Sequence, residues 1–352
     1  MKFVHLSNPR LFSGNIENPF SIDFEEERLE AFQKVIALCQ SQSVEALFIT
    51  GNLFDAAPTL DLVEQIDEML LAAPKTRTFI LTGERDQVGA SDTFASYEWK
   101  SNTTVFFGDC IQRVFVAKYD LEVTGLGYSE TTWSKVRLEK LTHGRKGAFQ
   151  ILLLPKLEGD EETLRGLKLP FDYVAVGADR IMIGDVNEKC YAPGDFAAET
   201  FSTQMEHGFY FGEIKEGRPR RATISFVPSE NREFVSLRIQ ATEDTTIDEI
   251  RNEVKETIEK YGGRNLYRVS IAGDSNPALY FEKESLYALG HITEVRDETT
   301  RSAVLEKLMK EHEGDALGRF ITDMLPDDNQ EIRRKALNYG VEALLKMQEK
   351  EA

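Results

Sequence analysis

Asn8, Asn52, Asp55, Glu84 and Asp86 offer side-chain oxygens, and Arg10, Arg85 and Arg180 offer guanidinium groups, each just after a short apolar run of the sequence. Oxygen donors of this kind can hold one hard cation, as magnesium and calcium sites do. Guanidinium groups match phosphate bidentately, so convergent arginines would make a metal-free phosphate or nucleic-acid pocket. A third chemistry is mutual neutralisation: carboxylates and arginines left in one cleft pair with each other, because charges withdrawn from water need partners. An arginine beside an oxygen set opposes cation binding, since it stays protonated and has no acceptor atom.

The apolar runs are the elements that must position these residues. Lys2 to Leu6, Ala46 to Thr50 and Thr78 to Thr82 read as strands that each run into a polar loop, and open α/β sheets place their chemistry beyond the carboxyl ends of such strands. Between them, a helix from about Asp23 to near Ser41 carries Leu29, Phe32, Ile36 and Cys39 at helical spacing, and a second covers Leu60 to Leu71. Further strands are expected at Thr104 to Phe107, Leu121 to Thr124, Ile151 to Leu154 and Tyr173 to Val176, and a polar hairpin, EIKEGRPRRATISFV, closes a layered α/β domain over residues 1–230. The basic run Arg218, Arg220 and Arg221 falls at the hairpin's solvated tip.

Past Glu230 the pattern becomes strand, helix, strand: Phe234 to Ile239, Thr246 to Tyr261 and Tyr267 to Ala272. This is a small α+β cap over 231–297, its helix opened by a capping-box pair, Thr246 and Glu249. Residues 298–352 are helical and strongly charged, interrupted at Gly314 and at the turn Pro326, Asp327, Asp328, with an apolar stripe of Ile332, Leu337, Val341, Leu344 and Leu345. That stripe either packs on its own domain or lies in a partner's groove.

Composition sets limits on function. Over 352 residues the formal charge is −18, whereas a protein that grips nucleic acid by itself needs a basic face. Hydrophobic residues make up 41% and charged residues 29%, without an apolar run of membrane-spanning length. The opening MKFVHLS lacks a secretory pattern, so a cytoplasmic, globular protein is expected. Cys39, Cys110 and Cys190 are too few and too widely spaced for a disulfide framework or a zinc knuckle.

MKFVHLSNPRLFSG resembles the opening of SbcD-type DNA nucleases of the calcineurin-like metallophosphoesterases, where the first strand leads to an Asp-x-His metal-binding pair; here the pair reads Asn8 and Arg10. Gly51, Asn52, Leu53, Phe54 and Asp55 are similar to the family's Gly-Asp-x-x-Asp, and Gly83, Glu84, Arg85 and Asp86 to its Gly-Asn-His-Asp. ILLLPKLEG and YVAVGADRIM resemble strands that end in ligand histidines, with Pro155, Ala178 and Arg180 at the histidine positions. YAPGDFAAETFSTQMEHGFYFGEI is similar to the segment that follows, and EGDALGRF to the YhaO branch.

The resemblance implies a four-layer α/β/β/α sandwich with the cap and C-terminal helices appended. It implies manganese or magnesium in ordinary members, but here the ligand set is lost. Of the five histidines, His5, His143, His207, His291 and His312, none stands at a ligand or catalytic position, so no catalytic residue and no bound metal are expected. The implied protein is an inactive nuclease-family subunit with an architectural or regulatory part in a DNA-repair-type complex. Its implied partner is an SbcC-like or YhaN-like SMC-type ATPase, met through the C-terminal helices; homodimerisation is implied, and contact with DNA would be indirect. Two alternatives stay open: a phosphodiesterase or exonuclease with an altered metal site, and a metal-independent phosphate or nucleic-acid binding module.

Overall fold

The computed structural model describes the chain apart from residues 12–18, 88–92, 109, 130–140, 143, 157–167, 178–183, 188, 202–205, 216, 218–219, 243, 275–282, 301, 325–336, 338, 342, 345–346 and 348–352. It divides into two compact units, Met1–Glu233 and Phe234–Ala352, both mixing helices with parallel strands.

The first unit holds two six-stranded sheets. One has the order β12-β11-β1-β2-β3-β4. Within it β1 (Lys2–Ser7), β2 (Ala46–Thr50), β3 (Arg77–Leu81) and β4 (Thr103–Phe106) run parallel, and the hairpin of β11 (Gly208–Lys215) and β12 (Arg221–Pro228) pairs antiparallel to β1. The other has the order β5-β6-β7-β8-β10-β9. It contains β5 (Gln112–Val116), β6 (Leu121–Gly125), β7 (Phe149–Leu154), β8 (Tyr173–Val176), β9 (Gly184–Asn187) and β10 (Cys190–Ala192).

Every residue of β2, ALFIT, is buried, as expected of a parallel strand covered on both faces, which reads as one apolar run without alternation. On one face Phe3, Phe48, Phe79 and Phe106 meet Val123, Ile151, Leu153 and Tyr173 of the second sheet. On the other face Val4, Leu6, Leu47, Ile49 and Ile80 pack with Phe32 and Ile36 of α1 (Phe24–Ser41) and Val63 and Ile66 of α2 (Leu60–Leu71). The Asp23 carboxylate starts α1 by accepting from the amides of Glu25 and Glu26, and three glutamates in the first turn face the positive end of the helix dipole. Leu152, Leu154, Val174 and Val176 form the outer face of the second sheet with Leu126, Leu141, Leu169 and Phe171.

A buried histidine joins the sheets. His5 Nδ1 lies 3.0 Å from the Tyr173 hydroxyl of β8, and its Nε2 lies 3.0 Å from Thr50 Oγ1 of β2. A neutral ring, donating from one nitrogen and accepting at the other, satisfies both hydroxyls. Burial pushes its pKa down to about 3.

In the second unit β13 (Phe234–Ala241), β14 (Leu266–Asp274) and β15 (Ile292–Thr300) form a wholly parallel sheet in that order. After the short α3 (Thr93–Ser96) of the first unit, α4 (Ile247–Tyr261) packs Ile250 and Val254 on Ile239, Val269 and Ile271, and starts with both bonds of the Thr246–Glu249 capping box. The strand–helix–strand expectation omitted β15, which runs through residue 298, the boundary drawn from sequence between cap and helical region. Its outward residues are charged: Glu294 pairs with Arg268 and Arg296, and Glu298 with Arg238.

Beyond α5 (Lys283–Tyr287), α6 (Ser302–Glu311) and α7 (Ala316–Met324) contribute to a small core in which Leu317, Ile321, Leu337 and Val341 are buried and against which Leu308, Phe320 and Leu344 pack. Leu337, Val341 and Leu344 of the stripe therefore face their own unit. Ile332, Leu345 and the turn at Pro326, Asp327 and Asp328 lie outside the described residues. Among the described residues no helix is long and apolar enough to cross a membrane.

Candidate functional site

The carboxyl ends of β1, β2 and β3 continue into loops that hydrogen-bond to one another. Asn8 and Arg10 amides donate to the carbonyls of Thr50 and Asn52, each at 3.0 Å, and the Leu11 amide to Leu53 at 2.8 Å. Both Asn8 and Arg10 have left-handed backbone, at φ 45° and 47°, a conformation that asparagine tolerates and that costs arginine about 1–2 kcal/mol. The surrounding bonds hold them there. Gly177, after β8, presses on the Thr50–Gly51 peptide so closely that a Cβ would stand 2.7 Å from the Thr50 carbonyl, which brings the exits of both sheets together. Gly51 has φ 81°, and a Cβ there would overlap Asn8 Oδ1.

The polar side chains of these loops are committed to each other. Asn8 Oδ1 accepts from the amide and side-chain nitrogen of Asn52, and Asn8 Nδ2 donates to Asp195 at 2.9 Å. Asn52 Oδ1 accepts from the Arg85 amide at 2.7 Å. The buried Asp86 accepts three amides: Leu53 at 2.7 Å and Phe54 at 3.1 Å on one oxygen, Gly83 at 2.7 Å on the other. Burial pushes its carboxyl up to about 7, while the three amides pull it the other way. Asp86 thus staples the β3 loop to the β2 loop.

Asp55 pairs with Arg85 at 2.5 Å. Arg10 reaches Glu199 at 2.5 Å and Asp195 at 3.5 Å. Arg28, on α1, donates to the Arg10 carbonyl at 3.1 Å and stands 3.7 Å from Glu199. Burial lowers the Arg28 pKa, against the opposing pull of Glu199, Asp55 and Asp195. Arg10, Arg28 and Arg85 face Asp55, Asp195 and Glu199, three cations to three anions. Glu84 lies 3.8 Å from Lys156, whose ammonium stands over the Tyr128 ring. Pro155, immediately before it, is buried. Ala178 and Arg180, and with them Asp179, lie outside the described residues.

The donor set does not fit a pair of dications. Asn8 Oδ1, Asn52 Oδ1, Asp55 Oδ1 and both Asp86 oxygens already accept N–H groups, and the guanidinium groups of Arg10 and Arg85 beside them have no lone pair to offer a metal. Among the described residues no group of three or more histidine, cysteine, aspartate or glutamate side chains could hold a metal ion.

Arg28, Lys156, Asp195 and Glu199 were not found from sequence. Arg28 did carry a signal, for it shares the apolar face of α1 with Phe32, Val35 and Cys39, and an arginine on a buried face needs a partner. At the distal hairpin Arg220 is a structural anchor, donating to the carbonyls of Tyr119 and Asp120 and pairing with the Asp120 carboxylate; Arg218 lies outside the described residues.

The two arginine pairs should differ sharply in energy. Arg85 is 45% exposed, so Arg85→Ala is expected to cost less than about 1 kcal/mol. Arg10 is 8% exposed, and Arg10→Ala, which takes the cation from the buried Asp195 and the partly buried Glu199, should cost about 3–5 kcal/mol. Urea denaturation of the two variants measures the contrast.

No protein-family model matches the chain, and no curated protein matches it significantly.

Proposed function

We propose that the chain is a metal-free member of the SbcD-like metallophosphoesterases, an inactive subunit with an architectural or regulatory role. What carries this reading is the closure of the strand-end loops by internal N–H donors and guanidinium pairs at the positions where the family's ligands would stand. Supporting it are the two sheets packed face to face and the helices α1 and α2 outside the first, which agree with three of the four layers that an α/β/β/α sandwich would have. The strained backbone at Asn8 and Arg10 is what a ligand loop would keep after its ligands had changed.

On this reading the mutual pairing of the cleft's arginines and carboxylates draws in neither metal nor phosphate strongly, and hydrolysis lacks both an activated water and a stabilised leaving oxygen. An SMC-type ATPase of the SbcC or YhaN kind is the proposed partner, docking on outward faces of the C-terminal helices, with DNA reached through it. The overall charge of −18 agrees with indirect DNA contact.

The deciding experiment is elemental analysis of protein purified without chelator, with phosphodiesterase and nuclease assays in excess manganese. The expected result is substoichiometric metal and no turnover. Stoichiometric metal with activity lost in Asp55→Ala would instead establish an altered-site hydrolase.

A further inference from the structure

We infer that Arg10 and Arg28 form a phosphate-type oxyanion site whose resident occupant is the chain's own Glu199. The inference rests on the metal-free reading above. Two guanidinium groups from different elements, the β1 loop and α1, converge on one carboxylate. Arg28 is 3% exposed, and its Nη2 has no hydrogen-bond partner among the described residues, its nearest anion being Glu199 at 3.7 Å. A buried guanidinium nitrogen left without an acceptor is costly. A carboxylate has too few oxygens to satisfy both forks, whereas a tetrahedral phosphate can accept from both at once.

Glu199 is the part that can leave. Its side chain is 19% exposed, against 3% for Arg28 and 8% for Arg10. It belongs to the stretch that follows β10 and is no part of a named helix or strand. Asp195 stays behind on Asn8 Nδ2, leaving two arginines facing one carboxylate and a net positive pocket. A tethered carboxylate competes with free anions at an effective concentration in the millimolar range or above, so in the native protein the site stays closed to dilute phosphate. A phosphate monoester presented by a bound partner, or a shift of the Glu199 segment, opens it.

The test is titration of inorganic phosphate into the full-length native protein, Glu199→Ala and Glu199→Gln, in EDTA and at fixed ionic strength, followed by thermal melting and isothermal calorimetry. Both variants should bind phosphate at least about tenfold more tightly than the native protein, with a matching rise in melting temperature that chloride does not reproduce. Adding Arg28→Met to Glu199→Ala should abolish the gain. Variants that fold only when phosphate is present would also support the site. The inference is overturned if the folded variants respond to phosphate no more than the native protein does, or if neither variant folds with or without phosphate. A phosphate response that appears only without EDTA would overturn the metal-free reading as well, and so separates the two failures.

Discussion

Between pH 6.5 and pH 3 the contribution of His5 to the stability of the Met1–Glu233 unit is expected to fall by roughly 1.4 kcal/mol per pH unit. The imidazole is fully buried, and its native pKa is depressed from 6.5 to about 3 by desolvation. In that interval the unfolded chain binds a proton that the native protein refuses. The His5 contribution is therefore complete above 6.5 and is lost as pH falls toward 3. Protonation would also turn both ring nitrogens into donors and leave the Tyr173 and Thr50 hydroxyls to rearrange. Other carboxylates titrate as well, so the informative quantity is the difference between native protein and His5→Gln, which keeps a donor and an acceptor without the charge. Both tryptophans, Trp99 and Trp133, lie in the first unit, so fluorescence-detected urea unfolding of the whole chain reports on it. Parallel stability-versus-pH curves for the two proteins would sink the prediction.

Replacing Asp86 should be among the most damaging single changes in the loops. Asp86→Ala leaves the amides of Leu53, Phe54 and Gly83 without their acceptor in a buried setting, at about 1–3 kcal/mol for each. A loss on the order of 4 kcal/mol follows, with some relief from water entering the space. Asp86→Asn retains one acceptor oxygen but points an amide at an N–H donor, so it should fall between. If instead Asp86 served as a metal ligand, its removal would chiefly abolish metal binding and leave stability in chelator nearly unchanged. Denaturation in EDTA distinguishes the two.

Sequence reading located the strands whose burial is two-sided, because ALFIT and ILLL are continuous apolar runs that few other elements produce. The ends were less legible: β3 and β4 each begin and end one residue earlier than expected. β5 and β15 were missed for a different reason, since QRVFV is short and opens on two polar residues and ITEVRDETT spends its outward positions on charged residues, so that both resemble loops. In the cleft, pairing between arginines and carboxylates was expected from the residue types at the strand ends, without saying which would meet, and Asp55–Arg85 is one such pair. The partners of Arg10 did not, being about 190 residues away in a stretch, GDFAAET, whose acids carry no local pattern. The role of Asp86 was also hidden: a carboxylate that caps three backbone amides looks, in sequence, like any acidic loop residue.

The placement of β1 bears on how the chain is made. β1 sits inside its sheet, parallel to β2 on one side and antiparallel to β11 on the other, and the contact of Met1 with Ile214 spans 213 residues. While β2, β3 and β4 can join soon after they leave the ribosome, one edge of β1 waits for the β11–β12 hairpin. Until then a strand of largely buried character offers unpaired amides and carbonyls to any neighbour. Chains arrested before residue 208 should accumulate in aggregates, and those that reach residue 228 should not, which makes the hairpin the step that commits this domain to its fold.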